Sequence, residues 1–272
     1  MFGINVHYLA ACAPLTKALQ AVKEAGFDVL DFTPELQAED WESRMHSDFE
    51  AIQRAGLVVH QTHAPFNRYG SWGDGYITCL DRALEATIYM GAEYMVVHGD
   101  EFDFDHLTYT TENAINYNYE LFYPYVEKAA AHNVKIAFEN LFEDIPSKPR
   151  LCSKAEDLKA LIEKYNTPSV VCCWDTGHAG VSFGAKQPEK IRLLGEHIAC
   201  THVHDQGHVQ DLHLPPFLGD NDWDACMKAF KDVGYGGHIT YEMVYGKIPE
   251  ALLGDFSNYL MQCAKQLKAK MG

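Results

Sequence analysis

Nine side chains able to bind a divalent cation fall at the C-terminal ends of short apolar runs. His63 follows LVVHQT and opens HAPF, His98 closes EYMVVH, and Glu139 closes VKIAFE. Asp175 closes SVVCCWD, with His178 three residues on in WDTGH; His202 lies near the end of HIACTHV; Asp211 and His213 follow in DLHLPP; Glu242 closes GHITYE. Imidazoles and carboxylates without a thiolate form an N/O ligand set of the kind taken by Zn, Mn, Co or Fe. Brought together, these groups would repel or titrate one another unless a cation sat among them, because unpaired buried charge is costly. Each residue alone reads more simply, as a packed or surface histidine or a loop-capping carboxylate. The shared end of the runs is what predicts a metal centre.

A fold must deliver those ends to one place. The candidate strands are Gly3–Tyr8, Phe27–Phe32, Leu57–Thr62, Glu93–His98, Val134–Glu139, Ser169–Asp175, His197–Val203 and Gly237–Glu242, each a short apolar run rich in Val and Ile. Such runs suit parallel strands covered by helices. The segments between them have helical punctuation: Pro14 at a first turn, Gly26 just past a last one, Gly91 closing the segment with Leu80, Leu84 and Ile88, and the S-x-x-E spacing of a capping box at Ser153 and Glu156. Eight strand-then-helix units with right-handed crossovers most readily close into a single-domain α/β fold, a (β/α)8 TIM barrel spanning residues 1–272, whose strand C-termini form one rim. An open doubly wound sheet is the alternative, but the first connection, ACAPLTK, has no Gly-rich phosphate loop.

The chain has 272 residues and a formal charge of −16, from 22 basic and 38 acidic residues. Nucleic-acid affinity draws on Lys and Arg neutralising phosphates, so this balance argues against a nucleic-acid partner. The rim segments FDFDHLTY, EDIPSKPR and GDNDWD are mostly acidic or neutral. No run of about 18 apolar residues is present and the opening residues lack a basic start, so neither a membrane span nor a signal peptide is expected. The eight cysteines show no CxxC spacing and read as reduced thiols of a cytoplasmic protein. Nothing in the sequence fixes or excludes a homo-oligomer; the segment Pro249–Lys270 reads as the last barrel helix.

The order HAPF, VVHG, IAFEN, WDTGHAG, HVHD, DLHLPP, GDNDW and YGGHITYEM resembles the xylose-isomerase-like TIM-barrel superfamily. That group includes sugar isomerases and epimerases, inosose dehydratases, hydroxypyruvate isomerases and endonuclease IV. The resemblance to the isomerases and epimerases implies one metal held by Glu139, Asp175, His202 and Glu242. Resemblance to endonuclease IV implies up to three zinc ions, with His63 and His98 beside Glu139 for one and His178, Asp211 and His213 for another.

The leading expectation is a Zn- or Mn-dependent sugar isomerase or epimerase that removes a proton next to a carbonyl through a metal-stabilised enediolate. Glu139 and Glu242 would act as the acid-base pair on a small carbohydrate substrate, with His178 close to it. Phe66, Trp72, Trp174 and Phe217 could pack on a sugar ring, and His7 and His208 could reach the substrate. The other histidines, at 46, 60, 106, 132, 197, 204 and 238, read as ordinary packed or surface residues. Ketose 3-epimerases tend to carry an Arg beyond the seventh-strand His; here His208 stands in that loop, and only Arg68 and Arg150 fall near the rim. A phosphate clamp is therefore not favoured. The competing readings are an endonuclease IV-like phosphodiesterase, a dehydratase or lyase sharing the first proton removal, and a non-catalytic binding protein.

Overall fold

Side-chain alternation along each strand, two residues per repeat, decides which groups face inward and which pack under the helices. The computed structural model describes residues 1–68, 71–73, 75–99, 109–143, 145, 148–244 and 248–272, with the side chain of Tyr8 left out. The strands are β1 (Phe2–Asn5), β2 (Val29–Asp31), β3 (Val58–His63), β4 (Tyr94–Val97), β5 (Lys135–Glu139), β6 (Val170–Asp175), β7 (Ile198–His202), β8 (Asp205–Gly207), β9 (Gln210–Leu214) and β10 (Ile239–Tyr241). Helices α1 (His7–Ala10), α2 (Leu15–Ala25), α3 (Trp41–Arg54), α4 (Gly75–Met90), α5 (Thr111–Ala131), α6 (Ala155–Tyr165), α7 (Thr176–Phe183), α8 (Gln187–Leu194), α9 (Trp223–Asp232) and α10 (Leu253–Met271) connect and cover them.

Eight parallel strands run in the order β10-β1-β2-β3-β4-β5-β6-β7. A parallel bridge between Val203 and Tyr241 joins β7 to β10, supported by the Val203 N–H donating to the Thr240 carbonyl at 2.8 Å. The expected TIM barrel is present, and β8 and β9 form an antiparallel hairpin outside it. Each of the eight expected strands appears, most of them shortened; the third is shifted by one residue to Val58–His63, and the first starts one residue earlier, at Phe2. The first loses His7 and Tyr8, which begin α1 instead.

Two layers of core follow from the alternation. The larger lies between strands and helices and includes Ile4, Leu30, Phe138 and Trp174; a small cluster of Tyr94, Val96, Ala137, Cys173 and Cys200 fills the barrel interior. Gly26 ends α2 at φ +100°, the left-handed conformation that favours glycine. The expected capping box is absent. Ser153 sits in a 3-10 turn before α6, and its hydroxyl donates to the Arg150 carbonyl at 2.6 Å and to Glu143 at 3.1 Å rather than capping α6. Among the described residues no helix is long and apolar enough to cross a membrane.

The register between β2 and β3 slips at His60, between the pairs Leu30–Val59 and Asp31–Gln61. The His60 ring packs on Tyr94 at 5.1 Å and on His238 at 4.0 Å, and the three residues line a cavity of about 420 Å³ with Glu93 and Tyr235. Burial pushes both imidazoles down, more than Glu93 pulls His60 back up; His238 falls to about 4, with its neighbour His60 and the N-terminal ammonium adding to burial. An unfolded histidine titrates near 6.5, so the unfolded chain takes up more protons in this window. Stability from these residues is complete above pH 6.5 and is lost as the pH falls towards about 4. Thermal melts should show a lower Tm at pH 5 than at pH 7.5, and His238→Gln should shrink that difference; an unchanged difference would remove this pair from the acid response.

Candidate metal centre

Strand alternation places Glu139 two residues beyond Ala137, Asp175 two beyond Cys173, and His202 two beyond Cys200, so the inward file of each strand ends in a ligand-type side chain above the interior cluster. Asp175 and His202 are also register partners across β6 and β7. Asn140 fastens the ends of β5 and β6: its side-chain amide donates to the Asp175 carbonyl at 2.9 Å and accepts from the Asp175 N–H at 2.7 Å. Asp175 then caps α7, its Oδ1 accepting the His178 N–H at 2.6 Å. The cap holds His178 against the same carboxylates.

Glu139 is the hub and is fully buried. Its Oε2 faces Nε2 of His63 at 3.1 Å and of His98 at 3.3 Å; its Oε1 faces Nδ1 of His178 at 3.1 Å and of His202 at 3.3 Å. Glu242, just past β10, has a side chain 20% exposed, with Oε2 3.7 Å from Nδ1 of His202 and of His213. Asp211 and His213 arrive from β9, with His213 Nε2 3.2 Å from Asp211 Oδ2 and His178 Nε2 3.5 Å from the same oxygen.

Most of these imidazoles are tethered by one nitrogen and directed inward by the other. His63 Nδ1 meets the Ala64 carbonyl at 2.7 Å, His178 Nδ1 the Asn140 carbonyl at 2.9 Å, and His213 Nδ1 the Glu242 carbonyl at 3.1 Å. His202 Nε2 meets Asp31 Oδ2 at 2.8 Å, and His204 Nε2 meets Asp175 Oδ2 at 2.9 Å. This arrangement, a second partner fixing ring orientation and tautomer, is what metal-ligating histidines use.

Three groups have ligand atoms all within 4.8 Å of one another: Glu139, Asp175, His202 and Glu242; His63, Glu139 and His202; and His178, His204, Asp211 and His213. Glu139 Oε1, His202 Nδ1 and Asp211 Oδ1 are buried without a hydrogen-bond partner. Orphaned polar atoms in an N/O donor set fit a divalent cation among them. His98 touches Glu139 yet stands outside all three groups, its ring stacked on Phe66 at 4.6 Å.

Burial opposes charge on each of these groups, and their mutual attraction overrides it. Glu139 is held well below the usual carboxylate range by His202, His178 and His63, and Asp175 and Asp211 are lowered by neighbouring histidines. The same pairings push His178 and His202 well above 6.5 and His213 up to about 9. His98 moves the other way, down to about 4, because burial, with His63 and Arg150 nearby, outweighs Glu139. Positive charge is what these carboxylates require, whether from protons or from a cation.

Above the cluster opens a cavity of about 510 Å³ whose wall includes His7, Phe66, Trp72, Glu139, His178 and Glu242. Two residues read as substrate contacts are elsewhere. Trp174 is fully buried and stacks on Phe183, because the alternation that turns Asp175 inward turns Trp174 out under the helices. His208 is exposed at the tip of the β8–β9 hairpin, where it and Val209 both have positive φ, and it is not part of the cavity wall. Phe217, also exposed, packs near Trp223. His106, and nearly all of the rim segment around it, lies outside the described residues.

Two further residues belong to the cluster beyond those expected from the sequence. His204, which alone reads as an ordinary packed histidine, is fully buried, stacks on His213 at 4.0 Å and joins the third group. The signal was available in HVHD, where a spacing of two puts both histidines on one side of an extended chain. A Cβ on Gly177 would lie 1.9 Å from the His204 ring, so the glycine of WDTGH makes room for it. Asp31, the partner of His202, also accepts from Gln61 Nε2 at 2.9 Å.

The chain matches the xylose isomerase-like TIM barrel family over residues 19–263 and belongs to it. An uncharacterized protein of Sinorhizobium fredii is 26% identical over 267 residues, covering 83% of this chain and 79% of that one. Among solved structures, a D-tagatose 3-epimerase-like protein aligns with a TM-score of 0.73 at 21% identity, covering 100% of this chain and 99% of that one. A xylose isomerase domain protein from Alicyclobacillus acidocaldarius aligns at 0.76 and 18% identity, covering 99% and 98%. At these identities the likeness to the solved structures is one of fold.

Asp31 offers a test of the tethering that leaves every ligand in place. Asp31→Asn should weaken divalent-metal affinity about 10- to 100-fold, read by competition with a chromophoric chelator. Unchanged affinity would mean that His202 needs no partner.

Proposed function

We propose that this chain is a divalent-metal-dependent isomerase or epimerase acting on a sugar or sugar-like substrate by proton transfer at a carbon next to a carbonyl. The observation that carries the reading is the convergence of Glu139, Asp175, His202 and Glu242 within 4.8 Å, with Glu139 and Glu242 in the wall of a cavity of about 510 Å³. The likeness to a D-tagatose 3-epimerase-like protein supports the substrate class.

A cation held by these four residues would supply Lewis-acid stabilisation of the charge that builds on substrate oxygens as the proton leaves. Glu242, the more exposed of the two glutamates, is suited to accept a proton from a carbon presented across the cavity. Glu139 is buried and ringed by imidazoles, and those neighbours keep it ionised. Ionised, it would remove the proton on the opposite face of the carbon, and in that direction of an epimerisation the proton that replaces it would come from the Glu242 side, where the more exposed carboxyl can take one from solvent. Phe66 and Trp72 offer apolar surface in the same wall. The formal charge of −16 weighs against the phosphodiesterase reading, which needs a surface that attracts a polyanion.

Elemental analysis of the purified protein should find a divalent metal, and incubation with candidate sugars in deuterated water should place label at a carbon beside a carbonyl. Glu139→Gln and Glu242→Gln should each lower that exchange by at least about 10²- to 10⁴-fold. Full exchange in either variant would remove that residue from proton transfer. Loss of water from the substrate would instead indicate a dehydratase, and incision of an abasic-site duplex a nuclease.

A further inference from the structure

Arg68 and Arg150 are two of only six arginines in the chain, and both line the cavity above Glu139 and Glu242. They stand on the loops after β3 and β5, the two neighbours of β4 in the barrel. Both therefore rise on one side of the mouth, flanking His98 at the end of β4. Arg150 is only 6% exposed. Its Nη1 donates to the Phe142 carbonyl at 2.7 Å, and its guanidinium lies 5.6 Å over the Phe142 ring, which in turn packs 5.1 Å from His178. These contacts fix the position of the charge relative to the ligand cluster.

The adjoining wall, from the loops after β1 and β2, is of another kind. His7, Thr33, Glu35 and Gln37 there suit hydroxyl groups. A guanidinium is planar and forked, and matches the two oxygens of a carboxylate or phosphate better than it matches a hydroxyl.

We propose that the substrate carries an oxyanion, a carboxylate or a phosphate, which Arg68 and Arg150 receive on the β4 side of the mouth while the reacting carbons lie over Glu139 and Glu242. This rests on the proton-transfer reading above and adds the substrate class. It also revises the expectation drawn from the scarcity of arginine: few are present, but the cavity holds two.

The test compares a neutral hexulose, a hexulosonate and a hexulose 6-phosphate on the Mn(II)-loaded protein, by exchange in deuterated water and, separately, by calorimetric binding. One of the two anionic sugars should exceed the neutral sugar by about 10- to 100-fold in kcat/KM, the range for hydrogen bonds to charged groups; which one exceeds it identifies the oxyanion. Arg68→Gln and Arg150→Gln should each reduce that advantage, chiefly through KM, and Arg150→Lys should restore part of it. Arg68 is half-buried, so its variant decides the matter if Arg150→Gln does not fold. A neutral sugar handled as well as both anionic ones, or an advantage that survives the substitutions, would overturn the proposal. Should no sugar exchange, the proton-transfer reading fails by itself and binding still judges the oxyanion subsite: tighter binding of an anionic sugar, lost in Arg68→Gln, upholds it, and equal or absent binding sinks it.

Discussion

A fully buried carboxylate with imidazole nitrogens on both oxygens sets the terms for this molecule. Removed from water, Glu139 needs positive charge close by, and it draws that charge from His63, His178 and His202, which reach it from the ends of β3 and β7 and from α7, while His98 meets it from the end of β4 as a neutral ring. Each connection holds two separate parts of the barrel rim at a fixed spacing. The other nitrogens of those rings then specify the next layer, with Asp31 behind His202 and Asp211 beyond His178. A requirement at one oxygen pair is in this way passed through several strands to residues beyond those rings.

Much of this was legible in the chain because parallel strands advertise themselves. Eight apolar runs separated by helical segments left little choice of architecture, and the position of His63, Glu139, Asp175 and Glu242 at run ends pointed to one rim. What alternation could settle, it settled only when the phase was right. Trp174 precedes Asp175 by one residue and so faces away from it, a consequence of the two-residue repeat that its aromatic character does not reveal. His204 failed for the converse reason, since it shares the phase of His202 but lies past the strand end, where no apolar run continues.

The hairpin and the turn before α6 were harder to foresee. Segment 205–214 carries no apolar alternation strong enough to signal β8 and β9, and its two-residue tip uses His208 and Val209 in place of the glycines that usually mark such a turn. The spacing of Ser153 and Glu156 is real, but a 3-10 turn takes up the serine hydroxyl first. Long-range anchoring also leaves no local trace. The Asp205 carboxylate, fully buried, accepts from the N–H groups of Gln206, Phe217, Gly219 and Asn221 and from the Trp223 indole at 2.8 to 3.2 Å. Gly219 is needed there because a Cβ would lie 2.1 Å from the Gln206 carbonyl oxygen.

That anchoring divides the centre by origin. Glu139, Asp175 and His202 belong to barrel strands, whereas Asp211 and His213 hang from a hairpin rooted at one buried aspartate. The strand-borne side chains take their places from the register of neighbouring strands. The hairpin lies outside the eight-stranded sheet, so a change in its length or composition would alter what Asp211 and His213 bring to the cluster while the hydrogen-bonded frame of the barrel stays as it is.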